Sequence, residues 1–193
     1  MELLPFLRTQ VRANRLANHR LHAAMAALSR DDFHAARTSF FPSLAKTLNH
    51  ILAVDVYYLA ALHGEADMEA QWRALKPCDT LDELAAAQAR ADQRFIALAD
   101  GLSPAQLDEL IALDRGDHVQ RELRGHVIAH LLNHQVHHRG QAHAMLAGSP
   151  VAPPQLDEFL MPSEAHLRVD DIAALGWRES ELFAALPVSS ARD

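Results

Sequence analysis

The sequence predicts an all-α protein, a four-helix bundle with a C-terminal extension. Three observations carry this. Only 7 of the 193 residues are glycine, Ala and Leu abound, and β-branched runs are missing, a composition that favours helices over sheet. Apolar residues recur at three- and four-residue steps over long stretches. Four such stretches are joined by connectors of under about 20 residues, which fits a four-helix bundle.

The first helix covers about residues 3–28, with Leu4, Leu7, Val11, Leu16, Leu21, Met25 and Leu28 as its apolar stripe, and ends in Ser29-Arg30-Asp31-Asp32. A connector through Thr38-Ser39-Phe40-Phe41-Pro42 leads to Ser43, the cap of a second helix over about residues 44–62 that Gly64 stops. Thr80 caps a third helix running to about Ala99, with Glu83 at capping-box spacing and Gly101 at its end. Residues 102–120 form a connector whose Asp114-Arg115-Gly116-Asp117 reads as a turn. The fourth helix, about residues 121–146, stops at Gly148-Ser149-Pro150. These elements make one domain over residues 1–160. Residues 161–193 form an extension with one helix candidate, Asp170 to Leu186, interrupted by Gly176. Nothing in that segment assigns it a role.

Composition narrows the function. The chain carries 18 Lys+Arg against 25 Asp+Glu, a formal net charge of −7, which argues against binding a phosphate backbone. No nucleic-acid partner is expected. One cysteine, Cys78, excludes an internal disulfide and any thiolate cluster for zinc or iron–sulfur. Metal, if held, needs nitrogen and oxygen ligands. No uncharged run reaches the ~18 residues that span a bilayer, and the N-terminus, with Glu2 and Pro5, does not read as a signal peptide. The expectation is a cytoplasmic protein with no membrane partner.

The second helix is unusual. Between Ile51 and Leu62 Asp55 is the one residue that is neither apolar nor aromatic, so the helix has no wet face over about three turns. A bundle leaves each helix a solvent side, so a homodimer is the simplest way to bury this one; cover by the C-terminal tail is the alternative. Asp55 must find a partner or water there. It reads as a structural charge or a dimer contact.

The fourth helix carries most of the remaining information, because the chain holds 13 histidines and six of them are here. His126, His130, His134 and His138 follow one another at four-residue steps, with His137 and His143 beside them. Two imidazoles four apart on a helix can converge on one ion at about 2.0–2.1 Å. The stripe drifts by about 40° per step, so at most two neighbours can ligate together. Spacing does not choose among the three pairs. Val127, Leu131 and Gln135 stand where a zinc protease needs the glutamate general base. The repeated Glu-x-x-His of di-iron bundles is missing too. A third ligand has to come from another helix, and the second supplies His50.

The stretch His134-Gln-Val-His-His138-Arg-Gly-Gln141, the following Pro153-Pro-Gln-Leu-Asp157 and the second-helix Thr47-Leu-Asn-His50-Ile-Leu together resemble the DinB family. The resemblance covers about residues 5–160 and is silent on the tail after Met161. It implies a metal-binding four-helix bundle, usually dimeric, with one histidine on the second helix and two on the last holding a divalent metal. By position these are His50, His134 and His138. His126, His130, His137 and His143 then flank the site, with His130 and His137 as candidates to support the ligands. Arg139 and Gln141 either orient the ligands or contact the second helix.

Three neutral histidines leave an ion its full charge and an open position, as in catalytic rather than structural sites. Such a centre lowers the pKa of water to about 7 or holds a thiol as thiolate. Two classes of function follow. One is a metal-dependent enzyme, a hydrolase or, as some branches of the family suggest, a thiol S-transferase using a low-molecular-weight thiol. The other is a non-catalytic metal-binding or stress-response bundle. Imidazole suits several ions, with zinc and nickel foremost.

Overall fold

The computed structural model describes residues 2–157 and 161–183. Along them run α1 (Leu3–Met25), α2 (Arg30–His34), α3 (Leu44–His63), α4 (Met68–Ala74), α5 (Leu81–Gly101), β1 (Leu110–Asp114), β2 (Val119–Leu123), α6 (Arg124–Leu146), α7 (Val169–Ala174) and α8 (Glu179–Leu182). The long helices α1, α3, α5 and α6 make the bundle, and the described residues are all-α apart from one small hairpin.

Local chemistry sets most helix ends. The Ser43 side chain accepts from the Lys46 N–H at 3.1 Å, and Gly64 closes α3 in the left-handed region at φ +69°. A side chain would be strained there. At Thr80 both bonds of the capping box form, so α5 starts where the sequence places it. The first helix is shorter than expected. Ser29, read as part of its end, instead caps α2 by accepting from Asp32 N–H at 3.0 Å, and buries Phe33 under the bundle.

The connectors hold more structure than the sequence suggested, with α2 in the first and α4 in the second. Residues 102–120 include a 3-10 turn at Pro104–Asp108 and the strand β1, which pairs antiparallel with β2 from Leu110↔Leu123 to Asp114↔Val119. The fourth helix therefore begins at Arg124 rather than near residue 121. The signal was a period-2 pattern, too short to stand out: Ile111 and Leu113 point inward while Leu110 and Ala112 face solvent. The predicted turn sits at the tip of this hairpin, with Gly116 at φ +88° and its N–H bonded to Asp114 Oδ1 at 2.8 Å.

The hairpin and α4 explain the apolar wrap of α3. Besides α5 and α6, α3 packs against α2, α4 and β1. The Tyr57 hydroxyl donates to the Asp114 carbonyl at 2.5 Å, and its ring meets Trp72 of α4. The cover expected from a second subunit or from the tail is thus supplied largely by two short elements of the same chain. The tail packs elsewhere: Ile172, Leu182 and Phe183 form a separate apolar cluster with Ala13, Leu16 and Ala17 of α1. Gly176, at φ +69°, breaks the expected C-terminal helix into α7 and α8; its last residues, 184–186, lie outside the described residues. Among the described residues no helix is long and apolar enough to cross a membrane.

Candidate metal centre

The buried stripe of α6 runs Val127, Ile128, Leu131, Gln135, His138, Arg139, Ala142, Met145 and Leu146, steps of three and four that hold the helix against the core. Its polar middle is what positions the site. His134 lies at the edge of this stripe and His138 within it, and both face His50 on α3, the helix against which α6 packs. One ring nitrogen of each of the three lies within 4.8 Å of the other two, and the Nε2 atoms of His134 and His50 are 3.0 Å apart. A tetrahedral ion with bonds of about 2.0–2.1 Å would set such neighbours about 3.3 Å apart. The His134–His50 pair is within a few tenths of an ångström of that spacing.

Neighbours select the ring tautomers. Gln141 Oε1 accepts from His138 Nδ1–H at 2.8 Å, and the Gln141 amide donates to His137 Nε2 at 3.2 Å. This leaves the His138 Nε2 lone pair for the cluster. Phe41 stacks on His50 with ring centroids 4.3 Å apart and touches His138 at 5.6 Å, shielding one side. His134 is held differently. Its Nδ1 is buried without a hydrogen-bond partner, so packing between the other rings orients it.

Electrostatics keep these rings neutral. Burial, then the proximity of His138 and His50, pushes His134 down to about 3. Burial lowers His50 and His138 as well. At neutral pH all three therefore offer lone pairs, which is the form a metal needs. Among the described residues no carboxylate or thiol joins the cluster.

The other histidines of α6 supply none of the converging ligand nitrogens. His126, His130 and His137 are exposed, and His143 Nε2 meets the Pro154 carbonyl at 2.9 Å. His137 supports the cluster through Gln141, whereas His130 touches the His134 ring, with centroids 6.2 Å apart, and the Tyr58 ring, at 5.1 Å. Gln141 thus orients a cluster residue. Arg139 does not, nor does it reach the second helix: it donates to Asn14 and Asn18 of α1 at 2.7 and 2.9 Å. Asp55 is an internal structural charge, its Oδ2 accepting from Gln88 at 2.6 Å and from Gln135. Phe41 is the site residue that sequence reasoning missed; its signal was a Phe-Phe-Pro directly before the Ser43 cap.

A four-helix bundle with three histidines converging from two of its helices defines the class. The sequence matches the model of the DinB family over residues 5–171, most of the chain. The chain belongs to the DinB family. The match extends past Met161 into α7. Comparison with curated proteins yields no significant match.

Proposed function

We propose that His50, His134 and His138 hold one divalent cation, zinc or nickel, and that the protein is a metal-dependent enzyme, a hydrolase or a thiol S-transferase. The observation that carries this is the donor set: three neutral imidazoles converge with no fourth protein ligand among the described residues. Three ligands leave a tetrahedral ion one open position. A cation there would supply the charge that lowers the pKa of water or of a low-molecular-weight thiol toward neutrality. The chain's own residues prepare that position. Gln141 keeps the His138 proton on Nδ1 and its Nε2 free. Phe41 covers one side of His50 and His138 against solvent.

The test begins with elemental analysis of untagged protein. One equivalent of metal is expected in wild type and in His143→Ala, and less than about a tenth of that in His134→Ala. Equal loss in both variants defeats the ligand assignment. Cobalt-substituted protein should then show a thiolate-to-metal absorption band on adding a small thiol, or the zinc form should hydrolyse a panel of esters and amides. Failure of both replaces the enzyme with a non-catalytic metal binder.

A further inference from the structure

A separate concavity of about 350 Å³ lies along α3 from the histidine cluster, lined by Val54, Tyr57, Tyr58, Trp72, Arg73 and Arg115. The volume lies in the range of small-molecule sites, about 300–1,000 Å³. Its walls are aromatic. Tyr57 and Tyr58 meet edge to face at 5.1 Å, and Trp72 stands 6.3 Å from Tyr57 while remaining 44% exposed. Among the described residues, nothing covers part of this indole.

The charges of the pocket are uneven in a useful way. Glu69 and Asp114 also line the pocket; Glu69 is paired with Arg73, and Asp114 accepts from the Gly116 N–H at 2.8 Å. Arg115 has neutral partners only. It donates to Gln120 Oε1 at 3.0 Å and to the Tyr58 hydroxyl at 3.3 Å, and its guanidinium lies 5.3 and 5.7 Å from the Tyr57 and Tyr58 ring centres. Among the described residues it forms no ion pair with a carboxylate. Both tyrosines are held in place, Tyr57 by its bond to the Asp114 carbonyl and Tyr58 by Arg115. The pocket therefore offers a fixed aromatic wall beside a planar cation that is not ion-paired among the described residues, which complements a flat ring bearing a carboxylate.

We propose that this pocket binds an aromatic carboxylate, the ring against Tyr57 and Trp72 and the carboxylate on Arg115. The assignment rests on the pocket's own geometry and does not need the metal. The two places are nevertheless joined. Val54 and Tyr58 follow His50 at four-residue steps on one stripe of α3, and Tyr58 touches His130, which touches His134.

The experiment is isothermal titration of the full chain with 2-naphthoate and with 2-naphthalenemethanol, its neutral analogue. Saturable binding of the acid is expected, at least tenfold tighter than of the alcohol. It should weaken at least tenfold in Arg115→Gln. Because Arg115→Gln could disturb the hairpin, Arg115→Lys, which keeps the charge, is titrated as well and should retain more affinity than the glutamine variant. Trp177→Phe leaves Trp72 as the only tryptophan, and its emission should be quenched at saturation. Equal affinity for acid and alcohol, unchanged affinity in Arg115→Gln, or no saturable heat up to millimolar ligand overturns the proposal. Protein treated with a chelator should bind the acid as untreated protein does; loss of binding on that treatment would place the carboxylate on a metal at the histidines and overturn the pocket assignment. Failure of the elemental analysis to find metal, with acid binding intact, would instead sink the metal reading alone.

Discussion

Gln141 shows how much a single side chain decides at the histidine cluster. By accepting from His138 Nδ1–H it fixes one tautomer and one ring orientation, and its own amide is anchored on His137. Gln141→Leu keeps the size and removes both bonds. Metal affinity should fall by about 10–100-fold, measured by competition with a chelator, while helicity stays unchanged. A fall of less than twofold would mean that packing alone orients His138. The neutral state of the rings makes a second prediction at this scale. Protons compete with metal for each imidazole below its pKa, and burial has moved His50 and His138 below the ordinary 6.5 and His134 to about 3. Metal should therefore be retained at neutral pH and released progressively as pH falls below about 6. Dialysis at stepped pH followed by elemental analysis checks this; release that began above pH 7 would contradict it.

At the scale of elements, α4 and the hairpin turn an apolar helix into a buried one. With this cover in place, much of the apolar wrap of α3 is buried within the chain, while Ala53, Val54, Val56 and Tyr58 stay half-buried. Leu113 of β1 is 1% exposed and belongs to the main core. Leu113→Ala should cost about 2–5 kcal/mol through lost transfer energy and the cavity left behind, read as a lowered urea midpoint. Exposed Leu110 on the same strand, at 60%, should tolerate alanine within about 0.5 kcal/mol. Similar losses at both positions would mean that the hairpin does not pack on α3. The strand was hard to read in advance because its inward residues number only two, fewer than a period-2 pattern needs to be distinguished from a loop.

Across the whole molecule, a buried polar network ties all four long helices together. Arg139 of α6 binds Asn14 and Asn18 of α1; Asn18 donates to Asp92 of α5 at 3.0 Å; Gln88 of α5 bridges Asp92 and Asp55 of α3; and Gln135 of α6 returns to Asp55. Arg15 adds a second cation 3.5 Å from Asp92. Burial pushes Asp92 up to about 6, raises Asp55 and lowers Arg139 to about 10, the cost of holding charge inside a bundle. Removing one member leaves its partners buried and unmatched. Arg139→Met should destabilise by about 3–5 kcal/mol in urea unfolding followed by circular dichroism. A loss under 1 kcal/mol would show that the asparagines and carboxyls find water instead. Gln135 and Arg139 adjoin His134 and His138 in sequence, so this brace also fixes the rotation of α6 that aims those histidines at α3.

The four long helices, the caps at Ser43 and Thr80 and the break at Gly176 were legible residue by residue, because periodicity and capping depend on groups within about four residues of one another; the short α2 and α4 were not. The abundance of histidine on α6 was equally plain, and spacing alone left three pairs open. Choosing His134 and His138 took either family resemblance or the fold. The physical reason is register: which pair meets His50 depends on how α6 slides and rotates against α3, and that is set by side chains far apart in sequence, the Asp55–Gln135 contact among them. The same holds for the aromatic pocket, whose lining comes from residues 54 to 115. No local pattern brings Trp72 and Arg115 beside Tyr57; only the folding of α4 and the hairpin over α3 does.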